Sequence, residues 1–244
     1  MSNSNFLHED ALLMLADTCL LSGHRMSEWC GHGPALEEDI ALTNGSLDAI
    51  GQARALYQIV AARRVPQATE DALAYFRDAH DFRSLVLAEA VNVDYAHTIM
   101  KSFLLAAWFV PLWDALATSG DRAVATVAVN AAKEARVQRR HAGEWVVRFG
   151  DGTAESRRRV EGALIALWPL CGQMLAVELS GTDASARFAA WKASVSSTFL
   201  EATLEVPPWP AIGAFEPTSD QLETRRAVLA EMQSLARQHP GATW

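Results

Sequence analysis

Residues 93–149 read VDYAHTIMKSFLLAAWFVPLWDALATSGDRAVATVAVNAAKEARVQRRHAGEWVVRF. Ile99, Phe103, Ala106, Val110 and Trp113 recur at helical spacing, which predicts a long helix over about Val93–Ser119. Pro111 is expected to kink it. Ser119-Gly-Asp121 reads as a tight turn, and a second long helix follows over about Arg122–Phe149, stopped by Gly150-Asp-Gly152. The same pattern stands upstream. A helix over about Glu9–Met26 carries Leu12, Leu13, Ala16 and Leu20 on one face. Another starts after Pro34 and runs to Arg64, with Leu36, Ile40, Leu47 and Ile50 in rhythm, until Val65-Pro66 stops it.

Between the two pairs lies a long connection, Gln67 to about Asn92, with short helices expected around Asp71–Asp78 and Phe82–Ala90. Further helices are expected over about Glu155–Leu179, Asp183–Leu204 and Ser219–Gln238, the last capped by Ser219 or Thr218. Val206-Pro-Pro-Trp-Pro210 and Gly213–Pro217 form an extended break. No stretch alternates like a strand. Two tightly joined helices, a long crossover and two more tightly joined helices make the ferritin-like arrangement. The expected fold is therefore all-α: a ferritin-like four-helix bundle with additional C-terminal helices, one domain over residues 1–244.

That fold sets a chemical test. A di-metal bundle takes a Glu from each of two helices and a Glu-x-x-His from each of the other two. Residues three apart share a helix face, so a carboxylate can bridge two metals while the imidazole binds one. Here the two expected positions read Asp48 with Gly51, and Glu134 with Val137. Neither Gly51 nor Val137 can ligate. Gln52 and Gln138 stand beside them, and a buried hydrogen-bonded network of Asp48, Gln52, Glu134 and Gln138 is expected where a metal would otherwise sit. Asp94 and His97 have acid/His spacing but supply half a site. Cys30 and His32, in Glu28-Trp-Cys-Gly-His32, lack two further zinc ligands.

Composition narrows the remainder. Of 244 residues half are hydrophobic and 20 % charged, which suits a chain that hides surface in an assembly. The net charge of −8 argues against nucleic-acid binding. The longest unbroken apolar run, Phe103–Pro111 and on to Trp113, falls short of a membrane span. The start, Met1-Ser-Asn-Ser-Asn-Phe6, has no basic and apolar leader pattern. Cys19, Cys30 and Cys171 are odd in number and form no CxxC, so a reducing, cytoplasmic setting is expected. The 18 Arg against 3 Lys, clustered at Arg139-Arg140 and Arg157–Arg159, read first as a solvated helix face. Nucleotide-binding and hydrolase motifs are absent.

A series of short stretches then carries a family resemblance. They are Glu28-Trp-Cys-Gly-His-Gly-Pro34, Glu37-x-Asp39-Ile-Ala-Leu-x-Asn44, Leu47-Asp-x-x-Gly-Gln-Ala-Arg54 and Ala74-x-x-Arg77-Asp78. Downstream come Lys133-Glu-Ala-Arg136, Arg148-x-Gly-Asp-Gly-Thr153, Glu201-Ala-Thr-Leu-x-Val-Pro207, Leu229-Ala-Glu-Met-Gln233 and Pro240-Gly-x-x-Trp244. In this order they resemble the C-subunit family of phenylacetyl-CoA epoxidases, over nearly the whole chain.

The resemblance implies a structural, non-catalytic subunit of an NADPH- and O2-dependent ring-epoxidising monooxygenase complex of aerobic phenylacetate catabolism. It implies no cofactor in this chain: the di-iron centre lies in a catalytic A subunit, and a reductase subunit delivers the electrons. The A subunit and the other complex subunits are the implied partners, with a CoA thioester at the interface, no nucleic acid and no membrane. By position it maps substrate contact onto Asp81, Phe82, Arg83 and Ser84. Two departures stand out: Gln138 where relatives often carry His, and a shorter segment between Trp168 and Trp191. Two other readings remain open: a di-metal oxygenase using Asp48, Asp94, His97 and Glu134, and a self-assembling helical scaffold.

Overall fold

The computed structural model describes residues 6–213 and 217–242. Residues 1–5 of the N-terminal stretch and Trp244 of the terminal motif lie outside it, as does the centre of the Gly213–Pro217 loop. Among the described residues there are helices and no strand. The chain divides into two compact units, one built from residues 7–91 with the C-terminal helix, the other from residue 92 to the loop after residue 204.

The first unit is organised by α1 (Glu9–Ser27) and α2 (Leu36–Arg63), which pack along one another. α1 buries Leu12, Leu15, Ala16, Cys19 and Leu21. α2 meets it with Leu42, Ala53, Leu56, Tyr57 and Val60. Gly23 permits the close approach: a Cβ there would lie 2.8 Å from Ile50 Cγ1, and the Ser46 hydroxyl donates to its carbonyl at 2.8 Å. Short elements follow in the connection, α3 (Glu70–Tyr75), a 3-10 turn at Ala79–Asp81 and α4 (Val86–Glu89). The helix expected over Phe82–Ala90 thus shrinks to four residues. The C-terminal helix, α10 (Ser219–Gln238), returns to pack on α3, the 3-10 turn and α4.

The second unit is built on α5 (Tyr95–Ala117) and α6 (Arg122–Gly150). Asp94 and Asp121 cap their N-termini by accepting from the amides of His97 and Val124. α5 is apolar nearly all round and packs against α6, α7 (Ala154–Leu167) and α9 (Ala184–Glu201). By length and composition it could cross a membrane, which the count of unbroken apolar residues did not register; 83 % of its most apolar window is buried inside the structure. The helix is continuous through Pro111.

The helix expected over Glu155–Leu179 is broken into three. α7 ends at Leu167, a 3-10 turn covers Trp168–Leu170, and α8 (Cys171–Leu175) follows. Pro169 has no amide to continue the ladder, and its ring opposes a carbonyl four residues back. The turn places Trp168 beside Trp191, Phe199 and Trp209, with ring centroids 5.6 to 6.1 Å apart. The indole amines are satisfied by Leu104 O, 3.2 Å from Trp191 Nε1, and Pro208 O, 2.8 Å from Trp168 Nε1.

Candidate functional site

The expected metal positions come first. On α2 the face turned to α1 runs through Leu42, Ser46, Ala53 and Tyr57, and Asp48 and Gly51 fall off it and are exposed. On α6, Glu134 is half-buried and Val137 is 58 % exposed. The burial expected of these four side chains is corrected: Asp48 is exposed, and Gln52, Glu134 and Gln138 are half-buried. Gln52 accepts a bond from Cys19 Sγ at 3.6 Å. Among the described residues no group of three or more His, Cys, Asp or Glu side chains is close enough to hold a metal.

Asp94 and His97 meet for a different reason. Asp94 caps α5, taking the His97 amide at 2.9 Å and its Nδ1 at 2.8 Å, with Arg159 at 3.6 Å. Burial opposes ionisation of Asp94, yet these bonds hold its carboxyl below the usual range. Cys30 and His32 are both exposed, and His32 Nδ1 lies 3.1 Å from the Cys30 carbonyl.

The crossover segment Asp81–Ser84 is built quite differently. It has no ladder of its own, so its main chain must find partners elsewhere. Asp17, fully buried on α1, accepts the Arg83 amide at 2.8 Å. The same carboxylate takes the Tyr57 hydroxyl and the Arg77 guanidinium. Thr18 Oγ1, one residue on, accepts the Leu85 amide at 3.1 Å. Arg77 lies over the Phe82 ring, 4.2 Å from its centroid, and donates to the Asp81 carbonyl at 3.1 Å.

From the other side comes Arg225 of α10, only 3 % exposed. It donates to the carbonyls of Ala79 at 3.2 Å, Phe82 at 2.8 Å and Ser84 at 3.4 Å, and to Glu89 Oε1 at 2.9 Å. The Ser84 hydroxyl donates to the same Glu89 oxygen.

The electrostatics follow from this burial. Burial, then the Asp17 carboxylate, pushes the Tyr57 hydroxyl well above its ordinary range, so it stays a donor. Burial also pushes the Glu89 carboxyl up, against the opposing pull of Arg225 and Ser84.

The outcome separates the four residues mapped by resemblance. Phe82 and Ser84 point inward, 3 % and 2 % exposed. Asp81 and Arg83 are exposed; Arg83 pairs with Asp10 at 2.7 Å and Asp81 with His80 at 3.2 Å. A ligand at this segment would meet two charged side chains on a fixed main chain. Asp17, Glu89 and Arg225 were missed in the sequence. The available signal was Asp17-Thr18 interrupting the apolar face of Leu13, Ala16 and Leu20.

A cleft of about 500 Å³ in the second unit lies between α6 and α9 over Phe103. Arg139 and Arg140 line it together with Glu144 and Glu201. Arg136 adds a third guanidinium to the lining, so both signs of charge are present.

The chain belongs to the phenylacetic acid catabolic protein family, whose model matches residues 6–244. The ferritin-like helical fold expected from the order of helices is this family's fold class. The chain is 37 % identical over 241 residues to the C subunit of the 1,2-phenylacetyl-CoA epoxidase of Escherichia coli (strain K12). The match covers 95 % of this chain and 97 % of that protein.

Proposed function

We propose that this chain is a structural, non-catalytic subunit of a phenylacetyl-CoA ring epoxidase. Its 244 residues act as one domain in the cytoplasm, docked on a catalytic A subunit that holds the di-iron centre. That complex would draw electrons from NADPH through a reductase subunit and use O2. The observation that carries the reading is full-length similarity to the C subunit of an epoxidase, combined with Gly51 and Val137 where a metal-binding bundle needs histidines. A metal does not fit the donor set around Asp48 and Glu134, so no step of the reaction is assigned to this chain.

Docking is supported by α2, where Leu36, Ile40 and Leu47 are 73 %, 51 % and 62 % exposed at helix-seam spacing. Asp81, Phe82, Arg83 and Ser84 would contribute to the CoA-ester site. The guanidinium of Arg83 suits a phosphate of the CoA. Phe82 and Ser84 would act through the shape of the main chain, being buried. Gel filtration of the chain mixed with the A subunit tests the reading. One joint peak and substrate turnover that requires both chains are expected; separate elution at micromolar concentration would overturn it.

A further inference from the structure

A crossover segment that meets a ligand binds it better when its main chain already holds one shape, and its local sequence supplies little of that shape. Between α3 and α5 the described elements are one 3-10 turn and one four-residue helix. The carbonyls left over are met by one row of α10. Arg225 takes those of Ala79, Phe82 and Ser84. Two turns on, Gln233 Nε2 donates to Ala74 O and Arg77 O, both at 3.1 Å. One turn further, Arg237 donates to Tyr75 O at 3.1 Å and Arg77 O at 2.8 Å. These partners are 141 to 162 residues away in sequence, so the carbonyls of Phe82 and Ser84 depend on α10, while Arg77, Asp17 and Thr18 hold the Asp81 carbonyl and the Arg83 and Leu85 amides from the other side.

Arg225 differs from the other two. Gln233 and Arg237 hold the connection before the segment, whereas Arg225 grips its two buried members, Phe82 and Ser84, by their carbonyls. Its planar fork spreads fixed donors over three carbonyls and a carboxylate. An ammonium is a single point with three donors and cannot span that set. Burying the charge is tolerable because Glu89 faces it at 2.9 Å. Glu89 is itself tied to the segment through the Ser84 hydroxyl, and its backbone carbonyl takes Arg25 Nε at 2.9 Å. The consequence reaches the surface. With Phe82 and Ser84 fixed on either side, the Cα–Cβ bond of the exposed Arg83 between them leaves the main chain at a set place, and its guanidinium lies beside Asp10 at 2.7 Å.

We propose that Arg225 is a positioning residue for CoA-ester binding: from α10 it sets the shape of Asp81–Ser84 without touching the ligand. This rests on the reading that the crossover meets the CoA ester.

The test uses the assembled complex with the A and reductase subunits, and phenylacetyl-CoA as substrate. Arg83→Ala tests the underlying reading and Arg225→Lys the inference, each with steady-state kinetics and hydrogen exchange at the Arg83 and Leu85 amides. Arg225→Lys keeps the charge and loses the fork. It is expected to raise KM about fivefold or more with kcat unchanged, since small misplacements of contact groups are costly, and to speed exchange at both amides.

If Arg83→Ala raises KM while Arg225→Lys leaves KM and exchange unchanged, the inference is wrong and the reading stands. If Arg225→Lys speeds exchange and neither variant moves KM, the segment does not meet the ester and both fall. Should Arg225→Lys fail to fold, Ser84→Ala reads the same lock from the loop side, and an unchanged KM there overturns the inference.

Discussion

Asp17 and Arg77, 60 residues apart in sequence, form an ion pair whose carboxylate is completely buried and whose guanidinium side chain is 12 % exposed. The pair joins α1 to the end of α3, and the leftover capacity of Asp17 fixes the Arg83 amide. Burial works against the charge on Arg77, but Asp17 more than restores it.

Removing one partner should therefore cost far more than a surface ion pair would. Asp17→Ala leaves a guanidinium, a phenol and an amide without their acceptor. Loss of a buried partner costs about 3–5 kcal/mol, and urea unfolding is expected to show a loss of that size. Tyr57→Phe removes one donor and its bond, so a loss of about 0.5–1.5 kcal/mol is expected. Equal losses in the two variants would contradict the central place of Asp17.

Gly150, the last residue of α6, meets the turn after α9 with no room for a side chain. An added Cβ would sit 2.2 Å from the Ala202 carbonyl oxygen and 3.0 Å from its Cβ. Gly150→Ala should destabilise the chain by about 1–3 kcal/mol, as overpacking does, despite the better helix propensity of alanine. A thermal melt at or above the parent midpoint would show that the approach is looser.

The tryptophan cluster around Trp191 holds α9 to α5. Trp191 is fully buried, and its indole N–H meets the carbonyl of Leu104 inside α5. Trp191→Ala is expected to lose about 3–5 kcal/mol, with most of the near-ultraviolet circular dichroism lost as well. Trp191→Phe retains the ring but not the donor and should fall between the parent and the alanine variant.

Glu155, in the first turn of α7, is held down to about 2 by hydrogen bonds from Arg158 and then Arg159. Its folded value lies below the ordinary 4.5, so its contribution is present above pH 4.5 and disappears as pH falls toward 2. Glu155→Gln should melt below the parent at neutral pH. The gap should close between pH 4.5 and 2, and melting curves across that window check it. A gap that widens on acidification would have the wrong sign.

If α2 carries part of the docking surface, Leu47→Glu should weaken joint elution with the A subunit. Leu47 is 62 % exposed, so its melting temperature should barely move. Loss of stability without loss of association would place docking elsewhere.

How far these features could be read from the sequence depended on whether their causes are local. The bounds of α10 were legible because Thr218 and Gln221 form a reciprocal capping box at its start. α7 was read too long, since Pro169 fell inside a run whose apolar rhythm continued to Leu179. The exposure of Asp48 is not legible, because spacing alone does not say which face of α2 meets α1. The crossover was the least legible part. Its shape depends on Asp17 and Arg225, which lie 66 and 143 residues from the groups they hold.

Iron content decides between a structural and a catalytic chain: elemental analysis of the folded chain, purified alone after expression with iron supplied. Near-zero metal per chain is expected, with iron appearing only when the A subunit joins. About two irons per chain, the content of a working di-metal bundle, would overturn the non-catalytic reading and make Asp48, Asp94, His97 and Glu134 the residues to replace first.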